Sequence, residues 1–129
     1  MIAVVRTVDG TFAVDLETAE VEPEEPFAPP PAPVLNLPRV VAAAASGSTI
    51  VAAVDAKPPL LVSHDAGTTW RDSGRGLPPV RAVAIDDFDP DLVVLASRNR
   101  LFLSRDGGLF WTSVPAELPE IEALELREA

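Results

Sequence analysis

Two eight-residue stretches of this chain share a spaced signature, and the distance between them limits the fold more than any other feature. Ser63-His64-Asp65-Ala66-Gly67-Thr68-Thr69-Trp70 and Ser104-Arg105-Asp106-Gly107-Gly108-Leu109-Phe110-Trp111 both read S-x-D-x-G-x-x-W and start 41 residues apart. Self-similarity at such a period marks a chain built from repeated supersecondary units. Upstream of each stretch lies an apolar, β-rich run, Thr49–Asp55 and Asp91–Ser97, preceded by Pro38–Ala45 and Pro79–Ile85. Each unit reads as three strands, the S-x-D-x-G turn and a fourth strand.

The flanks continue the pattern. Ile2–Glu17 lies over Ile50–Asp65 without a gap, so the N-terminus is a unit without its first strand, and Asp15 and Glu17 fill the Ser and Asp slots of its turn. Leu118–Leu126 lies over Leu77–Ile85, which makes the C-terminus a first strand with no unit after it. The two halves add to one whole, and 129 residues over three units give 43 each, close to the observed period. A competing reading makes the Glu-, Ala- and Leu-rich C-terminus a helix with Pro119 in its first turn. Ile121, Leu124 and Leu126 form no clean helical stripe, so the strand is preferred. The expected segments are a partial blade over 1–25, a blade over 39–72, a blade over 80–114 and a completing strand over 118–127, together one propeller half over 1–129.

The two turns resemble the Asp-box, or BNR repeat, of sialidases, sortilin-type receptors, xyloglucanases and photosystem II assembly factors. That resemblance implies a β-propeller of four-stranded blades. It says little of activity, because the motif occurs in enzymes, receptors and scaffolds alike. It assigns Ser63, Asp65, Gly67 and Trp70, with Ser104, Asp106, Gly108 and Trp111, to structural work. The aspartates accept hydrogen bonds from amides of their own turn, the glycines supply a conformation that side chains resist, and the indoles fill the space between blades. No residue of the chain is assigned a catalytic role.

Three blades do not close a ring, since propellers ordinarily have about four to eight. The expected architecture is all-β, a six-bladed propeller formed by a homodimer, in which the C-terminal strand of each chain completes the N-terminal blade of the other. A trimer would need nine blades, and a fragment of a longer protein is the remaining alternative, against which the complementary ends speak. Residues 1–38 hold seven acids against Arg6, residues 115–129 hold five against Arg127, and the middle holds eight of each sign. The net charge of −10 thus sits in the two segments expected to pair. A seam of like charge would tighten with salt and mild acid; the plainer alternative is a set of solvated outer strands.

Composition removes several classes of function. The acidic balance opposes nucleic acid and anionic membranes. With no cysteine and one histidine, thiol chemistry, disulfides and ordinary zinc sites are absent, and neither a metal nor a cofactor is expected. The longest aliphatic run, Val40–Ala45, is too short to span a bilayer, and the brief apolar N-terminus before Arg6 is no secretory signal, so a cytoplasmic location is expected. The chain has no tyrosine, which excludes a tyrosine-nucleophile sialidase.

Candidate ligand-binding residues are Lys57, Arg98 and Arg100 on loops joining second to third strands, with Arg71 and Arg75 on the loop leaving a fourth strand. In propellers of this kind these loops share the ligand face. The expected ligand is a protein partner, an anion or a carbohydrate held by forked arginine hydrogen bonds around the channel. The alternative is that these cations pair with Asp55, Asp72 or Glu117 at the rim. Those carboxylates also make a glycosidase-like hydrolase the competing function, although nothing singles out an acid and a nucleophile. His64 reads as a neutral surface residue. The run Asp86-Asp87-Phe88-Asp89-Pro90-Asp91 reads as a solvated turn, lacking the glycine and glutamate of an EF-hand loop. Pro26–Pro38 holds six of the 14 prolines and reads as an extended strap rather than a recognition segment.

Overall fold

The structure is a computed structural model that describes residues 1–29 and 31–128; Pro30 and Ala129, which fall within the proline-rich segment and at the end of the expected propeller half, lie outside the described residues. Twelve strands follow in order: β1 (Ile2–Thr7), β2 (Gly10–Asp15), β3 (Val21–Pro23), β4 (Val40–Ser46), β5 (Thr49–Val54), β6 (Leu60–Ser63), β7 (Arg71–Ser73), β8 (Ala82–Ile85), β9 (Val93–Ser97), β10 (Arg100–Ser104), β11 (Thr112–Val114) and β12 (Ile121–Arg127). They form three four-stranded antiparallel sheets, ordered β12-β1-β2-β3, β4-β5-β6-β7 and β8-β9-β10-β11, here called the first, second and third blades. Among the described residues no helix is long and apolar enough to cross a membrane.

The C-terminus is a strand. β12 pairs with β1 along its length, from Ile2 opposite Arg127 to Thr7 opposite Ile121, with a register shift at Arg6/Thr7. Good helix formers are overridden here because β1 otherwise offers an unpaired edge. Where exchange into a second chain is the expectation, the pairing seen is with β1 of the same chain. Connection length permits it. Eight residues join β7 to β8 and six join β11 to β12, but sixteen separate β3 from β4. That longer link lets the first blade fold back onto its own β12.

The third blade lies between the other two. β8 packs beside β4 on one side and β12 on the other, so the innermost strands run β4, β8, β12 in space. One core forms where the third blade meets the second, around Val51, Leu60, Val62, Val93 and Leu95. A larger one forms where it meets the first, around Val5, Val14, Val94, Leu101 and Leu124. Strands converge toward the axis, and small side chains permit this: Ala42 to Ala45 on β4, Ala82 and Ala84 on β8 and Ala123 on β12. The alanine run is therefore strand by packing, against its helical preference.

Each end blade keeps one face without a neighbour among the described residues. On the second blade that face carries Ile50, Ala52 and Leu61, which alternate with the core residues Val51, Ala53, Leu60 and Val62. On the first blade it carries Val4, Arg6, Glu125 and Arg127. Arg6 and Arg127, the two cations of the acid-rich terminal segments, both find acids: Arg6 to Glu122 at 3.6 Å, and Arg127 to Glu125 at 3.1 Å and Glu24 at 4.0 Å.

Candidate functional site

The S-x-D-x-G-x-x-W turns lie between the third and fourth strands of the second and third blades. In the first turn Ser63 Oγ donates to Asp65 Oδ1 at 2.8 Å and accepts from the Gly67 amide at 2.8 Å. Asp65 also accepts from the Thr69 amide at 2.9 Å and from the Thr69 hydroxyl. The second turn repeats the frame, with Ser104 donating to Asp106 at 2.7 Å and accepting from Gly108 at 2.9 Å, while the Leu109 and Phe110 amides donate to Asp106 at 3.1 and 3.0 Å. The Thr69 hydroxyl, then its amide, then Ser63 lower the Asp65 pKa from 3.8 to about 2. The Phe110 amide and the Ser104 hydroxyl lower Asp106 in the same sense. Asp15 is lowered by the amides of Glu17 and Thr18, so the first blade keeps an aspartate-capped turn without the signature. These are carboxylates held ionised by turn amides, the opposite of a poised general acid.

Gly108 has φ +95°, and a Cβ there would stand 3.3 Å from Val62 Cγ2 of the second blade, so the turn is also a point of close approach between blades. Trp111 completes that seam. It packs against the core shared by the second and third blades, and its Nε1–H donates to Ser73 Oγ at 3.3 Å. Ser73 in turn donates to the Gly108 carbonyl. Trp70 was expected to do the same between blades. It instead lies near Gly67 and Ile50, on the face of the second blade that turns away from the third. Its seam lacks a second side because no described blade lies beyond it.

The five candidate cations belong to the second and third blades. Lys57 is exposed in the β5–β6 turn, and Arg98 and Arg100 are exposed at the β9–β10 turn, where the Arg98 carbonyl accepts from the Ile121 amide. Arg71 opens β7 rather than following it, because the fourth strand spans only Arg71–Ser73. Arg71 and Arg75 share a cavity, a cleft of about 510 Å³ between β7 and the second signature turn. Among the described residues none of the five is ion-paired, so the alternative pairing with Asp55, Asp72 or Glu117 is not made either.

A second cavity, of about 480 Å³, follows the axis itself. Its walls are β4, β8 and β12, and Pro29, Pro31 and Ala32 of the strap border it. The floor is mostly alanine, and Arg6, Arg81, Arg127, Glu122, Glu125 and Asp86 line the rest; Arg6 pairs with Glu122, Arg127 with Glu125, and Arg81 with Glu120 at 3.3 Å. Residues 86–91 form the loop at one end, closed by a 3.1 Å bond from the Asp91 amide to Asp89 and anchored where Gly107 donates to the Asp91 carbonyl at 3.0 Å. His64 is exposed nearby, 3.3 Å from Thr49 Oγ1. Among the described residues no group of His, Cys, Asp and Glu is arranged to hold a metal ion.

Three blades around an axis, with a groove along their innermost strands, place the chain in the β-propeller class. No family model matches it, and no curated protein matches it. Among solved structures it is similar to one described as YCF48 bound to D1 peptide, at 14% identity and a TM-score of 0.53 over 93% of this chain and 43% of that one. It is also similar to the Niastella koreensis GH74 enzyme, at 19% identity and a TM-score of 0.51 over 91% of this chain and 18% of that one. Both are propeller folds, and at these identities the likeness shows the fold alone. The chain spans less than half of the first structure and less than a fifth of the second.

Sequence reasoning missed the groove and the cleft. The groove had a signal, since consecutive small residues on an innermost strand leave room on the axis. The cleft had one too, because Leu109-Phe110 in the second turn replaces Thr68-Thr69 of the first.

Proposed function

We propose that this chain is a non-enzymatic binding or scaffold module of BNR-repeat propeller type whose ligand lies in the axial groove, on the side bordered by the proline strap. The observation that carries the reading is the groove itself: three innermost strands with alanine walls, ringed by both signs of charge. An extended protein segment suits such a surface, because its backbone needs close approach and its polar groups need partners of both kinds. The neighbour described as bound to a D1 peptide supports a protein ligand for this fold. The GH74 neighbour keeps hydrolysis as the competing function, but the three aspartates with shifted pKa values are all turn caps. Lys57, Arg98 and Arg100 serve in this reading as outlying anion contacts, and a cytoplasmic setting suits the cysteine-free chain.

The test is a thermal-shift screen of peptides, anions and oligosaccharides, with every hit assayed for turnover. A ligand that raises Tm, is not consumed, and loses its effect in Ala45→Arg, at an exposed position on the groove wall, supports the reading. A hit that is hydrolysed supports the enzyme instead.

The reading includes a second copy. Three blades are half of a six-bladed ring, and two-fold closure would set the Trp70 face of each chain against the Arg6–Arg127 face of the other.

A further inference from the structure

The two signature turns differ at the pair of residues before the tryptophan. Asp65 takes two hydrogen bonds there, from the Thr69 amide and hydroxyl, and Asp106 also takes two, from the Leu109 and Phe110 amides, so the turn itself needs neither side chain of the second pair. The second turn nonetheless displays two large apolar side chains, with Leu109 55% and Phe110 78% exposed. Neither joins the core between the blades. Isolated exposed apolar residues are ordinary, but these two adjoin a cavity.

That cavity is the cleft between β7 and the second turn. Ser73 and Trp111 form its floor, already joined by a hydrogen bond. Arg71 and Arg75 border it, both exposed and without an ion pair among the described residues. Asp72 borders it too, but alternates to the other face of β7, opposite Leu61. In a chain of net charge −10, two unengaged guanidinium groups beside an apolar turn form a local reversal of sign.

We propose that this cleft is a second docking site, distinct from the axial groove, for an extended segment of another protein in which a large apolar side chain stands beside carboxylates. Phe110 and Leu109 cover the apolar group, and Arg71 and Arg75 take the carboxylates through charge-assisted hydrogen bonds. A small inorganic anion would leave Leu109 and Phe110 in water, and a neutral sugar would leave both arginines unused.

The chain contains its own reporter and control, since Trp111 floors the cleft and Trp70 lies elsewhere. Amide and indole resonances of the full chain are followed while acetyl-Phe-Glu-Glu-amide is added, with Trp70→Phe to assign the two indoles. A saturable shift of the Trp111 indole without one at Trp70 is expected. Binding is expected to weaken roughly tenfold for acetyl-Phe-Gln-Gln-amide and in Arg71→Ala/Arg75→Ala, and to vanish in Phe110→Thr. That last variant restores the residue of the first turn, and its amide spectrum reports that the fold is kept. The proposal is overturned if Trp111 shows no saturable shift, or if Phe110→Thr binds as before. It is also overturned if the Trp111 signal of the protein alone moves with its concentration, because a second copy then fills the cleft.

Discussion

Asp65 accepts hydrogen bonds from Ser63 and from both the amide and hydroxyl of Thr69, so its charged form belongs to the folded turn far more than to the free chain. The sign of the pH effect follows. With the folded pKa lowered from 3.8 to about 2, its contribution is fully present above the unfolded value and fades as pH falls toward about 2. Asp106 and Asp15 shift in the same direction and steepen that window. Asp65→Asn should therefore flatten the pH dependence of the urea midpoint between about pH 4 and 2, and lower Tm by a few degrees at neutral pH. An unchanged acid slope would show that Asp65 is not the linked group. At this scale the turns were legible, because Ser, Asp and Gly each act within a few residues of themselves. The fate of the tryptophans was not, since an indole's neighbour is set by which blade stands opposite.

Among the elements, β12 and the strap are interdependent. The first blade is complete only because sixteen residues carry the chain from β3 back to β4, across an arc whose ends are the first and second blades. Neighbouring blades elsewhere are joined by six or eight residues. Deleting residues 31–36 leaves a link long enough to reach an adjacent blade and too short to cross the arc. The expected result is exchange, with β1–β3 of each chain on β12 of the other, read as a covalent dimer on a denaturing gel when Ile2→Cys and Arg127→Cys, which stand opposite across β1 and β12, are oxidised in the shortened chain. A shortened, folded chain whose two cysteines bond within one chain would contradict this account of the strap. Sequence alignment found β12 because its apolar spacing matches a first strand. It did not reveal which chain β12 completes, since pairing register is local while the choice of partner depends on connection length.

For the whole molecule, the open arc is the central fact. The third blade is packed on both faces, and Leu60, fully buried in the seam it shares with the second blade, carries that packing. Leu60→Ala should cost about 2–5 kcal/mol in a denaturant titration; a cost near zero would mean the seam is not a single cooperative core. The proposed six-bladed ring has a direct mark as well. A solution mass of twice 13.6 kDa is expected, and 13.6 kDa at high concentration would leave the axial groove open to solvent along one side. The axial groove lay beyond sequence reasoning because it is an empty space bounded by three strands distant in the chain.

The closing strand also makes the first blade the most non-local part of the fold. Ile2 pairs with Arg127, so β1 meets β12 only after the chain between them has been gathered in, the slowest kind of contact to form. Until then β1 presents an open backbone edge, ready to pair with any extended segment nearby.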